Sequence, residues 1–163
     1  MGRATKAIDN PYYQARMQAA ECNDDFSSRE SAADVVGIER TRLARIELGA
    51  LTPYPEEALM MAEAYNAPEL CNYHCVHDCP VGRLTVAKAE LRSIEQIAVR
   101  CCSTMRFAES IRDALIDIAA DGVIDEAERP QLAQILRQLA EINQMSAELG
   151  ILARKLGVTP SQK

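Results

Sequence analysis

Two long stretches in the second half of the chain carry apolar residues at alternating steps of three and four. The outgoing stretch has Leu84, Ala87, Leu91, Ile94, Ala98, Cys101, Met105, Ala108 and Leu115. The returning stretch has Leu132, Ile135, Leu139, Ile142, Leu149, Ala153 and Leu156. Such heptad spacing is typical of helices that pack along a shared seam. We predict one outgoing helix of ~35 residues, or two nearly collinear helices broken near Ser103 and Thr104, followed by one returning helix.

The two stretches are separated by Asp121 and Gly122, which predicts an antiparallel helical hairpin. Two helices alone leave apolar surface on their outer faces, and pairing with a second copy in a four-helix bundle would bury it. We therefore interpret residues 81–163 as an oligomerisation arm with coiled-coil packing, and we expect a homodimer. The alternative is that the hairpin folds back onto the first half of the chain.

The turn of the hairpin has two interpretations. Six residues fall on ligand or turn positions of a calcium-binding EF-hand loop, namely Asp117, Asp121, Gly122, Ile124, Asp125 and Glu128. Ala119 removes one ligand from that pattern. Without metal, Gly122 is a helix stop, and Asp125 forms a capping box with Glu128 for the returning helix. We favour the interpretation without calcium.

The first half of the chain predicts shorter helices, separated by cap and turn residues. Asn10 followed by Pro11 predicts a helix that ends near Asn23, and further helices are expected at 28–37, 39–48, 55–66 and from 68 onwards. The apolar content comes mainly from Ala, Leu and Ile, and the chain has no Trp. We therefore expect an all-α protein without a sheet. Pro80 and Gly82 punctuate the chain and predict a domain boundary between 1–80 and 81–163.

The stretch SRESAADVVGIERTRLARIELGALTP, Ser28 to Pro53, resembles the helix-turn-helix of the phage-repressor (XRE, Cro-like) family. The residues that carry the resemblance are Ala33, Gly37, Ile38, Leu43, Ile46, Pro53 and the tail formed by Arg45, Ile46, Glu47 and Gly49. The resemblance covers about residues 10–76. It implies a lambda-repressor-like helix-turn-helix domain, here followed by the long helical hairpin, with the third helix in the major groove of double-stranded DNA.

Carried over by position, the resemblance makes Arg40, Thr41 and Arg45 the base readers. Because Arg pairs with O6 and N7 of guanine, we predict at least one G in the half-site. The alternative for these arginines is a solvated surface, or for Arg45 an ion pair with Glu30.

Other residues of this motif are expected at the phosphates or in the scaffold. The phosphate candidates are Arg29, Arg42 and the segment 51–54, which includes Thr52. Glu39 replaces the small hydroxyl residue usual in the family, and would repel phosphate or accept a hydrogen bond from a cytosine amino group. We expect Glu47 to be a structural ion-pair partner, with Arg16 as its counterpart.

The charge of the first half opposes DNA binding. Residues 1–80 carry seven Lys or Arg against thirteen Asp or Glu, whereas residues 81–163 carry eleven of each. Non-specific DNA affinity comes from neutralised phosphates. DNA binding remains possible if the charges are separated on the surface. The acidic residues of 55–80 would then face away from DNA, while Arg3 and Lys6 join the arginines of the motif on the side that faces it. The alternative function is a helix-turn-helix that binds another protein.

The segment LCNYHCVHDCPVG contains three cysteines and two histidines. On one helix Cys71, Cys75 and Cys79 would share a stripe and, with His74, could form a zinc site, with His77 and Cys22 as alternative ligands. The same thiols could instead be packed side chains, an iron-sulfur site or a redox switch. We expect no cofactor, with zinc as the alternative, and Cys101 and Cys102 as packing residues.

Several function classes are disfavoured. There is no Gly-rich phosphate loop and no Ser/His/Asp or paired-carboxylate arrangement, so we expect no enzyme and no small-molecule substrate. No apolar run approaches the ~20 residues of a membrane span, and no signal-peptide pattern is found, so we expect a cytoplasmic protein with reduced cysteines. The prediction is a sequence-specific DNA-binding transcription regulator, as a dimeric repressor.

Overall fold

The computed structural model describes residues 7–120 and 122–158, and every regular element in those residues is a helix. The all-α prediction is confirmed. The chain forms two compact units, of which the first ends at Val86 and the second begins at Ala87.

The described part of the first unit contains six α-helices. They are α1 (Pro11–Ala20), α2 (Arg29–Val36), α3 (Arg40–Glu47), α4 (Pro55–Ala64), α5 (Glu69–His77) and α6 (Gly82–Thr85). A 3-10 turn, Asp24–Phe26, separates α1 from α2. This turn ends α1 three residues earlier than the sequence predicts, because the side chain of Asn23 accepts a hydrogen bond from the backbone of Asp25 and begins a new turn.

Cap residues explain where the first helices begin and end. The side chain of Asn10 accepts hydrogen bonds from two backbone N–H groups of α1, and Ser28 caps α2 in the same way. Gly37 ends α2 with φ of +79°, a conformation that costs little only for glycine. A Cβ at Gly37 would also lie 3.1 Å from Cε of Met60 on α4. The glycine therefore serves both the turn and the packing of α4 next to it.

The first unit encloses one hydrophobic core. Its buried members are Tyr12, Ala15, Phe26, Ala32, Ala33, Val36, Ile38, Leu43, Ile46, Ala58, Met61, Ala62, Tyr65, Ala67 and Leu70. Among them are four of the residues that carry the helix-turn-helix resemblance, Ala33, Ile38, Leu43 and Ile46. α1 packs on α3 and α5, and α2 packs on α3 and α4, so one cluster joins all five longer helices.

The first unit continues beyond the boundary that Pro80 predicts. α6 packs on α5, and a Cβ on Gly82 would lie 2.2 Å from the carbonyl oxygen of Cys75. Only glycine permits this approach. Nε of Arg83 also donates to the carbonyl of His77 at 2.9 Å. These contacts explain why the division between the units lies after Val86.

The second unit contains α7 (Ile94–Met105), α8 (Ala108–Ala119) and α9 (Arg129–Lys155) in the residues described. The prediction that the outgoing helix includes Leu84, Ala87 and Leu91 is wrong. Ser93 forms a capping box with Gln96 and begins α7 at Ile94.

The outgoing stretch is two helices, and their break lies at Arg106 and Phe107, slightly beyond the predicted place. The hydroxyl groups of Ser103 and Thr104 donate to the carbonyl of Arg100 at 2.8 and 2.9 Å. Such bonds compete with the backbone pattern at the end of a helix.

The reciprocal hydrogen bonds predicted for Asp125 and Glu128 are formed, but in the turn before α9, whose N-cap is Glu128 rather than Asp125. Gly122 has φ of +76°. The backbone N–H of Asp125 donates to Glu128, and the backbone N–H of Glu128 donates to Asp125, at 3.1 and 2.9 Å. These two carboxylates are therefore used in the turn itself. Asp121, another residue of the calcium alternative, lies outside the described residues.

α7 and α8 both pack on α9, but not through the seam predicted for the outgoing stretch, whereas Leu132, Ile135 and Ile142 of the returning seam do lie in the shared cluster. The residues that α7 and α8 bury are Ile97, Thr104, Ile111 and Ile118, which follow one another at steps of seven and are called the inner row here. The predicted seam forms an outer row beside it, consisting of Ile94, Ala98, Cys101, Met105, Ala108 and Leu115. Within the outer row only Cys101 is half-buried, and the other five are exposed.

A buried carboxylate joins α7 to α9. Glu148 on α9 has no exposed surface, and Arg92 and Arg100 donate to it at 3.0 and 2.9 Å. Nε2 of Gln144 adds a hydrogen bond at 3.2 Å. Buried charges are stable only when they are paired in this way.

Candidate nucleic-acid interface

The exposed face of α3 carries the three residues predicted to contact bases. Arg40, Thr41 and Arg45 are all exposed, while Leu43 and Ile46 bury the opposite face. Neither Arg40 nor Arg45 forms an ion pair with any residue of 7–120 or 122–158, so Arg45 does not pair with Glu30 as the alternative proposed. Both guanidinium groups are therefore available for an external acceptor.

Glu39 has a structural role at the start of α3. Its carboxylate accepts hydrogen bonds from the backbone N–H groups of Thr41 and Arg42 at 2.8 and 2.9 Å, and so caps α3. The bond from Thr41 is the main reason that the pKa of Glu39 is lowered. Both carboxylate oxygens are used within the chain. This capping role was not predicted, and a hydrogen bond from a cytosine amino group stays a prediction, because each carboxylate oxygen has a second lone pair.

Arg42, predicted to contact phosphate, is held inside the first unit. Its Nε and a terminal nitrogen both donate to Glu57 on α4, and its guanidinium carbon lies 4.4 Å from the ring centroid of Tyr54. Glu57 also accepts the backbone N–H of Tyr54 at 2.7 Å. The hydrogen bonds from Arg42 are the largest cause of the lowered pKa of Glu57. This pair fixes the middle of α3 to the start of α4.

Arg29 is likewise occupied. Its Nε lies 2.6 Å from Glu47, whose carboxylate also receives Arg16 at 2.5 and 3.2 Å. Glu47 has no exposed surface, which confirms the prediction that it is a structural partner of Arg16. Arg16 additionally donates to the carbonyl of Phe26 at 2.7 Å. Sequence position identified Arg29 as exposed but could not reveal this carboxylate, eighteen residues away along the chain.

The segment after α3 leaves Thr52 exposed, as a phosphate contact requires. Arg3 and Lys6, expected to add positive charge to this face, lie outside the described residues. Sequence analysis did not identify Glu57 and Tyr54 as neighbours of α3. The available signal was their spacing, because an acidic residue three positions after an N-cap is typical of a capping box.

The predicted zinc ligands do not form a cluster. α5 ends at His77, so Cys79 lies beyond the helix that was to align it with Cys71 and Cys75. Its sulfur accepts the backbone N–H of Gly82 at 3.4 Å instead. Within residues 7–120 and 122–158, no three His, Cys, Asp or Glu side chains are grouped so that they could hold a metal ion.

His74, the fourth predicted ligand, is buried beside Asp78. Nδ1 of His74 lies 3.5 Å from Oδ2 of Asp78, beyond ordinary hydrogen-bond length. The same oxygen accepts the hydroxyl of Tyr12 at 3.2 Å. Burial, followed by the charge of Asp78, raises the pKa of Tyr12. His74 therefore belongs to a polar contact between α1 and the end of α5.

In the part of the chain that the structure describes, no helix is both long and apolar enough to cross a bilayer. No protein family, curated protein or solved structure matches this chain.

Proposed function

We propose that this protein binds double-stranded DNA sequence-specifically, with α3 in the major groove. The observation that carries the proposal is a division among the arginines of the first unit. Arg16, Arg29 and Arg42 are each paired with a carboxylate, whereas Arg40 and Arg45 on the exposed face of α3 have no such partner among the described residues. Arginines that are positioned by a rigid helix and left without an internal acceptor suit guanine edges.

The pairing of Arg16, Arg29 and Arg42 with carboxylates supports weak non-specific binding to DNA. With Arg29 and Arg42 occupied, the hydroxyl of Thr52 and backbone N–H groups near it are the remaining phosphate donors of the motif. Even if the two free arginines of each copy also contacted phosphates, a dimer would have a slope of log K against log salt no steeper than about −4, which is shallow for a DNA-binding protein. The protein would thus depend on base contacts more than on charge.

Such binding suits a transcription regulator that blocks access to its operator, and we propose a repressor. A cytoplasmic location belongs to this proposal. No disulfide links any two of the six cysteines, all of which lie in the described residues, as expected in a reducing compartment.

The test is capture of sheared genomic DNA by purified full-length protein, followed by sequencing. Wild type is compared with the Arg40→Ala/Arg45→Ala variant. The matched control is Arg129→Ala/Arg154→Ala, which removes two exposed arginines of α9 and changes the net charge equally. We expect wild type and the control to enrich one recurrent motif that contains G, and the α3 variant to lose it.

Absence of enrichment by wild type even at low salt would contradict the proposal. So would equal enrichment by the α3 variant. The first result would favour a helix-turn-helix that binds another protein through the same exposed face.

A further inference from the structure

The second unit leaves one side of its hairpin uncovered. Ile94, Met105 and Leu115 of the outer row are 55%, 47% and 40% exposed, and they recur on one side of α7 and α8. The inner row beside them is buried against α9. The apolar surface of these helices is therefore wider than the surface that α9 covers.

The outer row has the composition of an interface centre. At its heptad positions between Ile94 and Leu115, Arg112 is the one charged residue. The row extends over about 30 Å at 1.5 Å for each residue. Depletion of charge together with exposed aliphatic side chains distinguishes the centre of an interface from ordinary surface.

α9 shows the same property. Leu136 and Leu139 are 58% and 41% exposed, next to the half-buried Leu132. From Pro130 to Ala147 the helix has only two charged residues, Arg137 and Glu141. An exposed helix of this length ordinarily carries charges along its free face. Both arms of the hairpin therefore have apolar surface to bury.

The internal core of the hairpin is small. Its hydrophobic cluster consists of three buried isoleucines, Ile111, Ile118 and Ile135, with a few half-buried neighbours. Helical stability in proteins comes mainly from packing of the apolar face. Ala89, Ile97, Met145 and Ile151 are also buried, yet the described part of the second unit still encloses fewer apolar side chains than the first, and cover for its exposed rows would stabilise it. The partner that is always present in equal amount is another copy of the chain.

We propose that the outer rows of two copies pack together, so that the second units form a four-helix bundle with a two-fold axis. A two-fold interface uses the same surface on both subunits, and a heptad row can pair with an identical row. If the exposed leucines of α9 extend the outer row in the dimer, each copy would offer a face of about 30 by 20 Å. That area approaches the roughly 800 Å² of accessible surface that each partner buries in a stable interface.

The experiment is sedimentation equilibrium of the full-length protein over a wide range of concentrations, without DNA. We expect twice the chain mass of 18.0 kDa for wild type. Met105→Glu places a charge in the outer row and should raise the dissociation constant by about 100-fold or more. Met105→Ala removes contacts without adding charge and should raise it by about 10-fold.

The matched control is Val99→Glu. Val99 lies on the same helix, is 71% exposed, and is turned away from both rows. This variant should remain as dimeric as wild type. Far-UV circular dichroism of Met105→Ala at high protein concentration should show wild-type helicity, which separates loss of pairing from loss of folding.

Two results would overturn the proposal: a wild-type mass of 18.0 kDa at every concentration, or Met105→Glu and Met105→Ala proteins that dimerise as tightly as Val99→Glu. Because no DNA is present, either result leaves the proposed DNA binding by α3 to its own test.

Discussion

The two units of this protein bury the same kind of ion cluster in very different apolar surroundings. Glu47 in the first unit and Glu148 in the second have no exposed surface, and each carboxylate is held by two arginines. Around Glu47 lies a closed cluster that joins five helices, whereas the second unit buries fewer apolar side chains, and its cluster is built on three isoleucines. A buried ion cluster orders helices, but its net stabilisation is small. The two units therefore differ in how many apolar side chains they enclose and not in how they pair a buried carboxylate.

The first cluster contains one arginine that is shielded from water, whereas Arg29 beside it is 32% exposed, and the second cluster contains no shielded arginine. Arg16 is 3% exposed, while Arg92 and Arg100 are 30% and 26% exposed. If the carboxylate were removed, Arg16 would remain buried without its partner. The other two could turn toward solvent. The same mutation should therefore have unequal effects in the two units.

The largest effect is expected for Glu47→Ala. Loss of the carboxylate leaves Arg16 as an unpaired buried charge, which should cost about 3–5 kcal/mol of the free energy of unfolding. Urea denaturation followed by the tyrosine signal measures this, because all five tyrosines lie in the first unit. Glu63→Ala, at an exposed position of α4, is the control. A loss below about 1 kcal/mol would mean that Glu47 is not needed to neutralise a buried Arg16.

Glu148→Ala should have a smaller effect. Arg92 and Arg100 regain water, so we expect a loss of about 1–3 kcal/mol, measured as the urea dependence of far-UV circular dichroism at fixed protein concentration. Glu141→Ala, an exposed position of α9, is the matched control. A loss equal to that of Glu47→Ala would contradict the conclusion that the more exposed arginines tolerate the loss of their carboxylate better.

The stability of the first unit should depend on pH through the Arg42–Glu57 pair. The bonds from Arg42 lower the pKa of Glu57, so the pair stabilises the folded state above the ordinary pKa of the carboxyl, about 4.3. This stabilisation is lost as the pH falls through the lower, folded pKa. The tyrosine-detected urea midpoint should therefore fall less steeply with acid in Glu57→Gln than in wild type. Parallel pH curves for the two proteins would show that the pair makes no such contribution.

The smallest effects concern two equivalent helix caps. Ser28 begins α2 and Ser93 begins α7, each through a side chain that accepts a backbone N–H. Ser28→Ala and Ser93→Ala should each cost about 0.5–1 kcal/mol. The first is measured by the tyrosine signal and the second by helicity. Unchanged midpoints in both variants would show that neither cap is needed.

The sequence predicted the first unit well where local chemistry decides the structure. Asn10, Ser28 and Gly37 determine helix ends through their own side chains or lack of one, and the buried face of α3 follows from the spacing of Leu43 and Ile46. The roles of Arg29 and Arg42 could not be predicted in this way. Helical position shows that a side chain is near the surface, but a long guanidinium reaches sideways to carboxylates that only the tertiary fold brings close.

The second unit shows a similar limit. Heptad spacing identified a real apolar row, but two such rows lie side by side on α7 and α8. Periodicity alone cannot say which of them packs on α9. The series of Ile97, Thr104, Ile111 and Ile118 was present in the sequence, and Thr104 made it the less apolar choice. The start of α7 was missed because the heptad pattern passes through the capping box at Ser93 without a change.

Two sets of ion pairs attach α3 to the rest of the first unit, through side chains that point away from its exposed face. Glu47 ties its last turn to Arg16 and Arg29, and Arg42 ties its first half to Glu57. Arg40, Thr41 and Arg45 take no part in either attachment. These three positions can therefore change without a penalty to folding, which would let new binding preferences arise by substitution on a constant scaffold. If α3 binds DNA as proposed, the ion pairs of Arg29 and Arg42 would hold the helix in place while the residues of the face between them change.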